Sequence, residues 1–131
     1  MVEIKSLSSD TTFWMPPGGG VHFGESLTQA VIREVLEETG LKIEVRQMLY
    51  ISEYLKNNWH AVEFYFLCNE LSGNEKLGTD PELNEDQQIL KNLAWIGVDD
   101  INDLSIFPPF IRRDFKKLIS GEEMILAYVA Q

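Results

Sequence analysis

Apolar and polar residues alternate along Val2-Glu3-Ile4-Lys5-Ser6-Leu7, the two-residue period of a strand, with Val2, Ile4 and Leu7 turned inward. A polar turn over Ser8–Thr12 leads to the apolar Phe13-Trp14-Met15. Pro16-Pro17 then hold the chain extended. Gly18-Gly19-Gly20 allow the backbone a positive φ or a close approach to a ligand. From Leu27 to Thr39 the pattern switches to helical spacing, with Ser26 suited to the N-cap and Gly40 to C′. Alternation resumes over Lys42–Tyr54, predicting one strand or a bent pair. Lys56-Asn57-Asn58 reads as a hairpin turn, and Trp59–Leu71 as a second long strand with Val62, Phe64, Phe66 and Cys68 on one face.

Ser72–Gln88 is polar, rich in Gly, Asp and Glu, and punctuated by Pro81, which predicts a long surface loop. Asn92–Val98 follows as a strand anchored by Trp95, and Asp99-Asp100 cap a short helical turn. Pro108-Pro109 open a last helix, Phe110–Ile119, that ends at Gly121. The tail EEMILAYVA has strand composition. With no repeats or linkers, residues 1–131 predict one domain of α+β or α/β/α sandwich type, a mixed sheet with a helix packed on either side.

Charge narrows the partners. Eleven basic against 21 acidic side chains give a formal net charge of −10. Nucleic acid and anionic membranes are recognised through basic patches, so neither is expected. A small anionic substrate stays compatible if a divalent cation sits between it and the protein. Cys68, the single cysteine, lies in the apolar run EFYFLC and reads as a buried strand thiol rather than a catalytic or metal-binding one. Met1–Asp10 has no apolar leader segment and no stretch is long enough to span a membrane, so a cytoplasmic protein is expected.

The helix carries the candidate chemistry. At about 100° per residue, Glu34, Glu37 and Glu38 fall within an arc of about 100°, and Val31, Ile32, Val35 and Leu36 spread over the rest of the buried side. A solvated acidic face is the ordinary reading of such charges. Two features oppose it: like charges four apart repel, and anions near a helix C-terminus face an unfavourable dipole. A divalent cation is the simplest compensation. Hard oxygen donors without cysteine or a histidine cluster favour Mg²⁺, or Mn²⁺, over Zn²⁺. Glu82, Glu85 and Asp86 in the long loop either bring another carboxylate to the metal or are simply solvated. His60 is either structural or a substrate contact, and Tyr54, Trp59 and Phe64 either stack on a base or serve the core.

The fixed positions Gly19, Glu25, Arg33, Glu34, Val35, Glu37, Glu38, Gly40 and Leu41 have the spacing G-x5-E-x7-R-E-U-x-E-E-x-G-U, where U is an apolar aliphatic residue. Chance would produce it at roughly one start point in 10^9. This stretch resembles the complete Nudix box, and a looser likeness covers most of the chain. The resemblance implies the Nudix fold, with the box as a loop–helix–loop. It also implies Mg²⁺-dependent hydrolysis of a nucleoside diphosphate linked to another moiety, such as a nucleoside triphosphate (including an oxidised one) or a nucleotide sugar. Glu34, Glu37 and Glu38 would ligate metal, with the Gly18 carbonyl as an added ligand. Glu34 would orient or deprotonate the attacking water, a carboxylate of the Ser72–Gln88 loop being the rival. Arg33 would set the glutamates through an ion pair with Glu25, and Gly19, Gly20 and His22 would meet substrate. A Nudix-fold module that binds a nucleotide without cleaving it is the alternative.

The chain departs from the family pattern in three respects. His22 stands where members often carry glutamate. The strand that usually precedes the one resembling VEIKSL is expected to be shortened or missing: either the chain has lost its true start, or the tail over Met124–Val129 replaces the strand, within the chain or across a homodimer. Lys56 and Asn57 stand where the ADP-ribose-specific group carries a proline, and Asn58 and Trp59 lie near the tyrosine position of the diadenosine-polyphosphate group, so neither substrate signature is present.

Overall fold

The computed structural model describes residues 1–6, 9–56, 58–79, 84, 88–119 and 127–130. Its elements run β1 (Val2–Lys5), β2 (Thr12–Met15), α1 (Leu27–Thr39), β3 (Leu41–Lys56), β4 (Trp59–Gly73), β5 (Leu90–Leu93), a 3-10 turn (Asp100–Asn102), α2 (Pro109–Ile119) and β6 (Ala127–Ala130). The strands divide between two three-stranded sheets, β2-β1-β5 and β4-β3-β6. The first is antiparallel throughout. The second is mixed, β3 being antiparallel to β4 and parallel to β6. A parallel bridge from Trp14 to Ile106 ties β2 to the segment before α2.

Several expectations hold. Val2 is fully buried in β1. Helix α1 has the bounds the pattern predicts. The long alternating stretch is one strand, β3, bent by register shifts at Lys42/Ile43, Val45/Gln47 and Met48/Tyr50. Such shifts bend a strand and increase its twist, which lets a long hairpin curve around a core. Asn58 takes the positive φ of 67° that closes the hairpin, with Lys56 opposite Trp59. Residues 127–130 of the strand-like tail do form a strand, paired in parallel with Tyr50–Glu53 of β3.

Other expectations are corrected. Thr12, read as the end of the Ser8–Thr12 turn, instead opens β2 ahead of Phe13-Trp14-Met15, because β1 offers an antiparallel ladder from Val2↔Met15 to Lys5↔Thr12. The strand expected over Asn92–Val98 is β5, Leu90–Leu93, and Trp95 is no anchor, being 62% exposed. After the Ala94 amide bonds to the Met1 carbonyl, the chain leaves the ladder for the turn closed by Asp100 N–H on the Gly97 carbonyl. The 3-10 turn follows Asp99, but no side chain caps it. Helix α2 begins at Pro109, where a missing amide hydrogen costs nothing. Leu7, Ser8, Asn57, Gly121 and residues 124–126 lie outside the described residues.

The core gathers Leu49 and Tyr50 of β3, Ile101, Ile106, and Phe110 and Ile111 of α2, with Trp14, Tyr65 and Phe115 packed on it. Phe110 seats α2 on the sheet, its ring 4.7 Å from Tyr50 and edge-on to Tyr65 at 5.2 Å. On β4, therefore, Tyr65 reaches the core, and Val62 on the opposite face is exposed. Burial and the Asp114 carboxylate push the Tyr50 hydroxyl up to about 12. Among the described residues no helix is long and apolar enough to cross a membrane.

Candidate active site

Helix α1 is held at both ends by the chemistry its sequence predicts. The Ser26 hydroxyl accepts from the Gln29 amide at 3.2 Å, and the Ser26 amide donates to Gln29 Oε1 at 2.8 Å, a reciprocal capping box. At the other end Gly40 is left-handed, φ 72°, and its amide bonds to the Leu36 carbonyl. Between them the buried residues are Ala30, Glu34, Val35, Glu38 and Thr39. Ile32 and Leu36, expected inside, are 41% and 43% exposed. Two carboxylates are thus more buried than two aliphatic side chains of the same helix. A solvated acidic face would show the reverse.

The glycine loop explains that burial. Gly19 lies flush on Glu34: a Cβ built there would come within 2.5 Å of Oε1. The Gly18 amide donates to Glu38 Oε2 at 3.0 Å, a charge-assisted bond that stabilises the ionised carboxylate. Loop and helix therefore meet through carboxylates on one side and glycine backbone on the other. A side chain at position 19 would displace the Glu34 carboxylate or the loop.

Arg33 ties the loop from the other flank. Its Nε and Nη2 donate to the two oxygens of Glu25 at 2.9 and 3.1 Å, a fork-on-fork pair. Nη2 also donates to the Gly20 carbonyl at 2.9 Å. Nη1 reaches Glu34 Oε1 at 2.8 Å and Glu37 Oε2 at 3.1 Å. Glu25 Oε2 in turn accepts from the His22 amide at 2.9 Å. The Arg33 bonds and the His22 amide hold the Glu25 carboxyl down at about 2, and Glu25, followed by Glu34 and Glu37, raises Arg33 above its ordinary value. The sequence reading of Arg33 and Glu25 as an ion pair across the loop is what the geometry contains.

Gly18, Gly19, Gly20, His22, Glu25, Arg33, Glu34, Glu37 and Glu38 are thus brought into one neighbourhood. Glu82, Glu85 and Asp86 lie outside the described residues. Among the described residues no three His, Cys, Asp or Glu side chains converge on one point, since Glu34 and Glu37 are turned onto Arg33. In donor type the helix fits a hard divalent cation: Glu34, and Glu37 and Glu38 about one turn later, are all carboxylates, beside the backbone of Gly18 and Gly19. With its side chain 30% exposed, Glu37 has more freedom to reorient than Glu34, whose side chain is 10% exposed.

The remaining candidates separate from this cluster. His60 Nε2 lies 2.8 Å from Glu53 Oε1 on the exposed hairpin. Tyr54 packs edge-on to Phe107 at 6.4 Å, a structural contact, whereas Trp59 is 74% exposed. Cys68 is half-buried, and burial pushes its thiol up.

One contact was not anticipated. The segment after β4 crosses the C-terminal end of α1, where the Lys76 amide bonds to the Thr39 carbonyl at 3.0 Å and the Gly78 amide to the Glu38 carbonyl at 2.9 Å. Its signal in the sequence is only a glycine within a polar loop.

A family model described as NUDIX domain matches residues 4–117. An RNA pyrophosphohydrolase of Wolbachia pipientis is 32% identical over 134 residues, covering 93% of this chain and 80% of that protein. An ADP-ribose pyrophosphatase of Methanocaldococcus jannaschii is 38% identical over 83 residues, covering 60% of this chain and 49% of the relative. The crystal structure of a MutT protein from Methanosarcina mazei Go1 superposes with a TM-score of 0.67 at 21% identity, over 93% of this chain and 83% of the other, a likeness of fold. The chain spans only 26% and 49% of the length of two of its curated relatives. The match over residues 4–117, which include the glycine loop and the carboxylate helix, makes this chain a member of the Nudix family.

Proposed function

We propose that this chain is a divalent-metal-dependent pyrophosphohydrolase that cleaves the diphosphate bond of a nucleoside diphosphate joined to another moiety. The observation that carries the reading is the burial of Glu34 and Glu38, at 7% and 6% exposure, against the backbone of Gly19 and Gly18. Arg33 meets Glu25, Glu34 and Glu37 with a single positive charge, so the partly buried cluster keeps a net negative charge that a divalent cation offsets. Glu34, Glu37 and Glu38 would hold Mg²⁺, or Mn²⁺, with the Gly18 carbonyl as an additional ligand. Bound there, the ion supplies Lewis-acid stabilisation of the phosphoryl oxygens and lowers the pKa of its water.

The chain's own residues do the rest. Glu34 accepts the proton of the attacking water or orients that water, using the carboxylate that Gly19 and Arg33 fix in place. Arg33, locked by Glu25, keeps the Glu34 and Glu37 carboxylates in register. Gly19 and Gly20 let phosphate oxygens approach the backbone, and His22 flanks the same opening. The acidic balance, −10 overall, favours a small nucleotide over a nucleic acid. Relatives with pyrophosphatase names are consistent with this chemistry without choosing among substrates.

Incubation with Mg²⁺ and a panel of nucleoside triphosphates, nucleotide sugars, ADP-ribose and a 5′-triphosphorylated RNA oligonucleotide tests the reading. Release of phosphate, pyrophosphate or a mononucleotide from at least one small nucleotide is expected. Binding without cleavage across the panel would replace the hydrolase with a nucleotide-holding module.

A further inference from the structure

We propose that Gly78 is a positioning residue for the Glu37–Glu38 pair, an inference that rests on the metal-site reading above. Gly78 sits directly on the peptide joining these two glutamates. A Cβ at position 78 would fall 1.7 Å from the Glu37 carbonyl oxygen, 2.7 Å from its carbon and 3.0 Å from the Glu38 Cα. All of these atoms are backbone, so no rotamer change relieves the overlap. Either the segment or the last turn of α1 must move, and moving that turn moves both carboxylates.

Two further bonds make the contact a strap. The amides of Lys76 and Gly78 cover the carbonyls of Thr39 and Glu38, acceptors that a helix end leaves without internal partners. Upstream, the Trp95 indole N–H donates to the Glu75 carboxylate, fixing the segment to the chain that follows β5. The strap holds the backbone of the helix turn while the glycine loop and Arg33 hold its side chains. Backbone partners of this kind act on a site as outer-shell contacts do, by fixing where the ligand oxygens stand.

Mn²⁺ affinity, read from the free-ion EPR signal, tests the proposal alongside turnover with Mg²⁺. Three variants are compared: Gly78→Ala, Trp95→Phe, and Val2→Ala, a fully buried position of β1, as a core control. Gly78→Ala is expected to weaken Mn²⁺ binding about 10- to 100-fold and to lower kcat, with KM for the nucleotide unchanged. Val2→Ala should lower the melting temperature yet keep wild-type Mn²⁺ affinity. If Gly78→Ala does not fold, Trp95→Phe carries the test and should show a smaller loss of affinity in the same direction. Wild-type Mn²⁺ affinity in a folded Gly78→Ala protein, or in Trp95→Phe where that variant carries the test, overturns the proposal. So does an equal loss in Val2→Ala. A wild-type protein that binds Mn²⁺ but cleaves nothing would refute the hydrolase reading alone, because the affinity ratio still decides the role of Gly78. A wild-type protein that binds no Mn²⁺ refutes both.

Discussion

Arg33 grips Glu25 with two nitrogens, Nε to Oε1 at 2.9 Å and Nη2 to Oε2 at 3.1 Å, across the bend that joins the glycine loop to α1. The same guanidinium touches Glu34 and Glu37. One side chain therefore orders the loop and the carboxylates together. A lysine cannot reproduce that fork, since an ammonium is a point charge rather than a planar donor set. Arg33→Lys should lower kcat about 10²-fold with the fold retained, the usual penalty for misplacing reactive groups by about an ångström. Steady-state kinetics with a circular dichroism control measures it, and a wild-type kcat would exclude the positioning role.

The Glu25–Arg33 pair also fixes a pH dependence. Arg33 holds the folded Glu25 carboxyl at about 2, below the value of 4.5 it has when free. A depressed folded-state pKa contributes stability that is complete above the unfolded value and disappears as pH falls toward the folded one. The wild type should therefore lose part of its stability between about pH 4.5 and pH 2, and Glu25→Gln should lose less over that window. Thermal melts of both proteins across the range give the difference. Parallel curves would mean the pair contributes nothing.

Gly19 makes a sharper claim. Alanine there would press a methyl group to within 2.5 Å of Glu34 Oε1, so the carboxylate or the loop must give way. Turnover should fall at least tenfold, and about 10²-fold if the carboxylate shifts by an ångström. Equal kinetics for Gly19→Ala and wild type would contradict the packing.

The cap of α1 belongs to stability rather than chemistry. Ser26→Ala removes the acceptor for the Gln29 amide and should cost about 1 kcal/mol, a drop of roughly 3–6 °C in Tm. Differential scanning calorimetry tests this, and an unchanged Tm would show that other contacts fix the start of the helix.

How much of this was legible in the sequence depends on what each residue answers to. Ser26, Gly40 and the bounds of α1 answer to local rules, and the sequence reading of them agrees with the structure. The helix's inner face answers to its neighbours. Periodicity put Ile32 and Leu36 inside, but the glycine loop covers the Glu34 and Glu38 side and leaves those aliphatic groups exposed. The bulk of Trp95 suggests burial, whereas its indole sits outside and donates to Glu75. Gly78 gave no warning, because the atom that forbids a side chain there is a carbonyl 41 positions earlier in the sequence, at Glu37.

The most direct test of the central claim is the metal-dependent turnover of Glu38→Gln. Glutamine keeps the size of the side chain and an oxygen for the Gly18 amide, so the fold should stay intact while the charge that would hold the cation is gone. The wild type should hydrolyse its nucleotide with Mg²⁺, stop when the metal is chelated and recover when it is restored. Glu38→Gln is expected to fold with the same far-ultraviolet spectrum and show no hydrolysis above background at any Mg²⁺ concentration. Undiminished turnover in the purified variant would contradict the account.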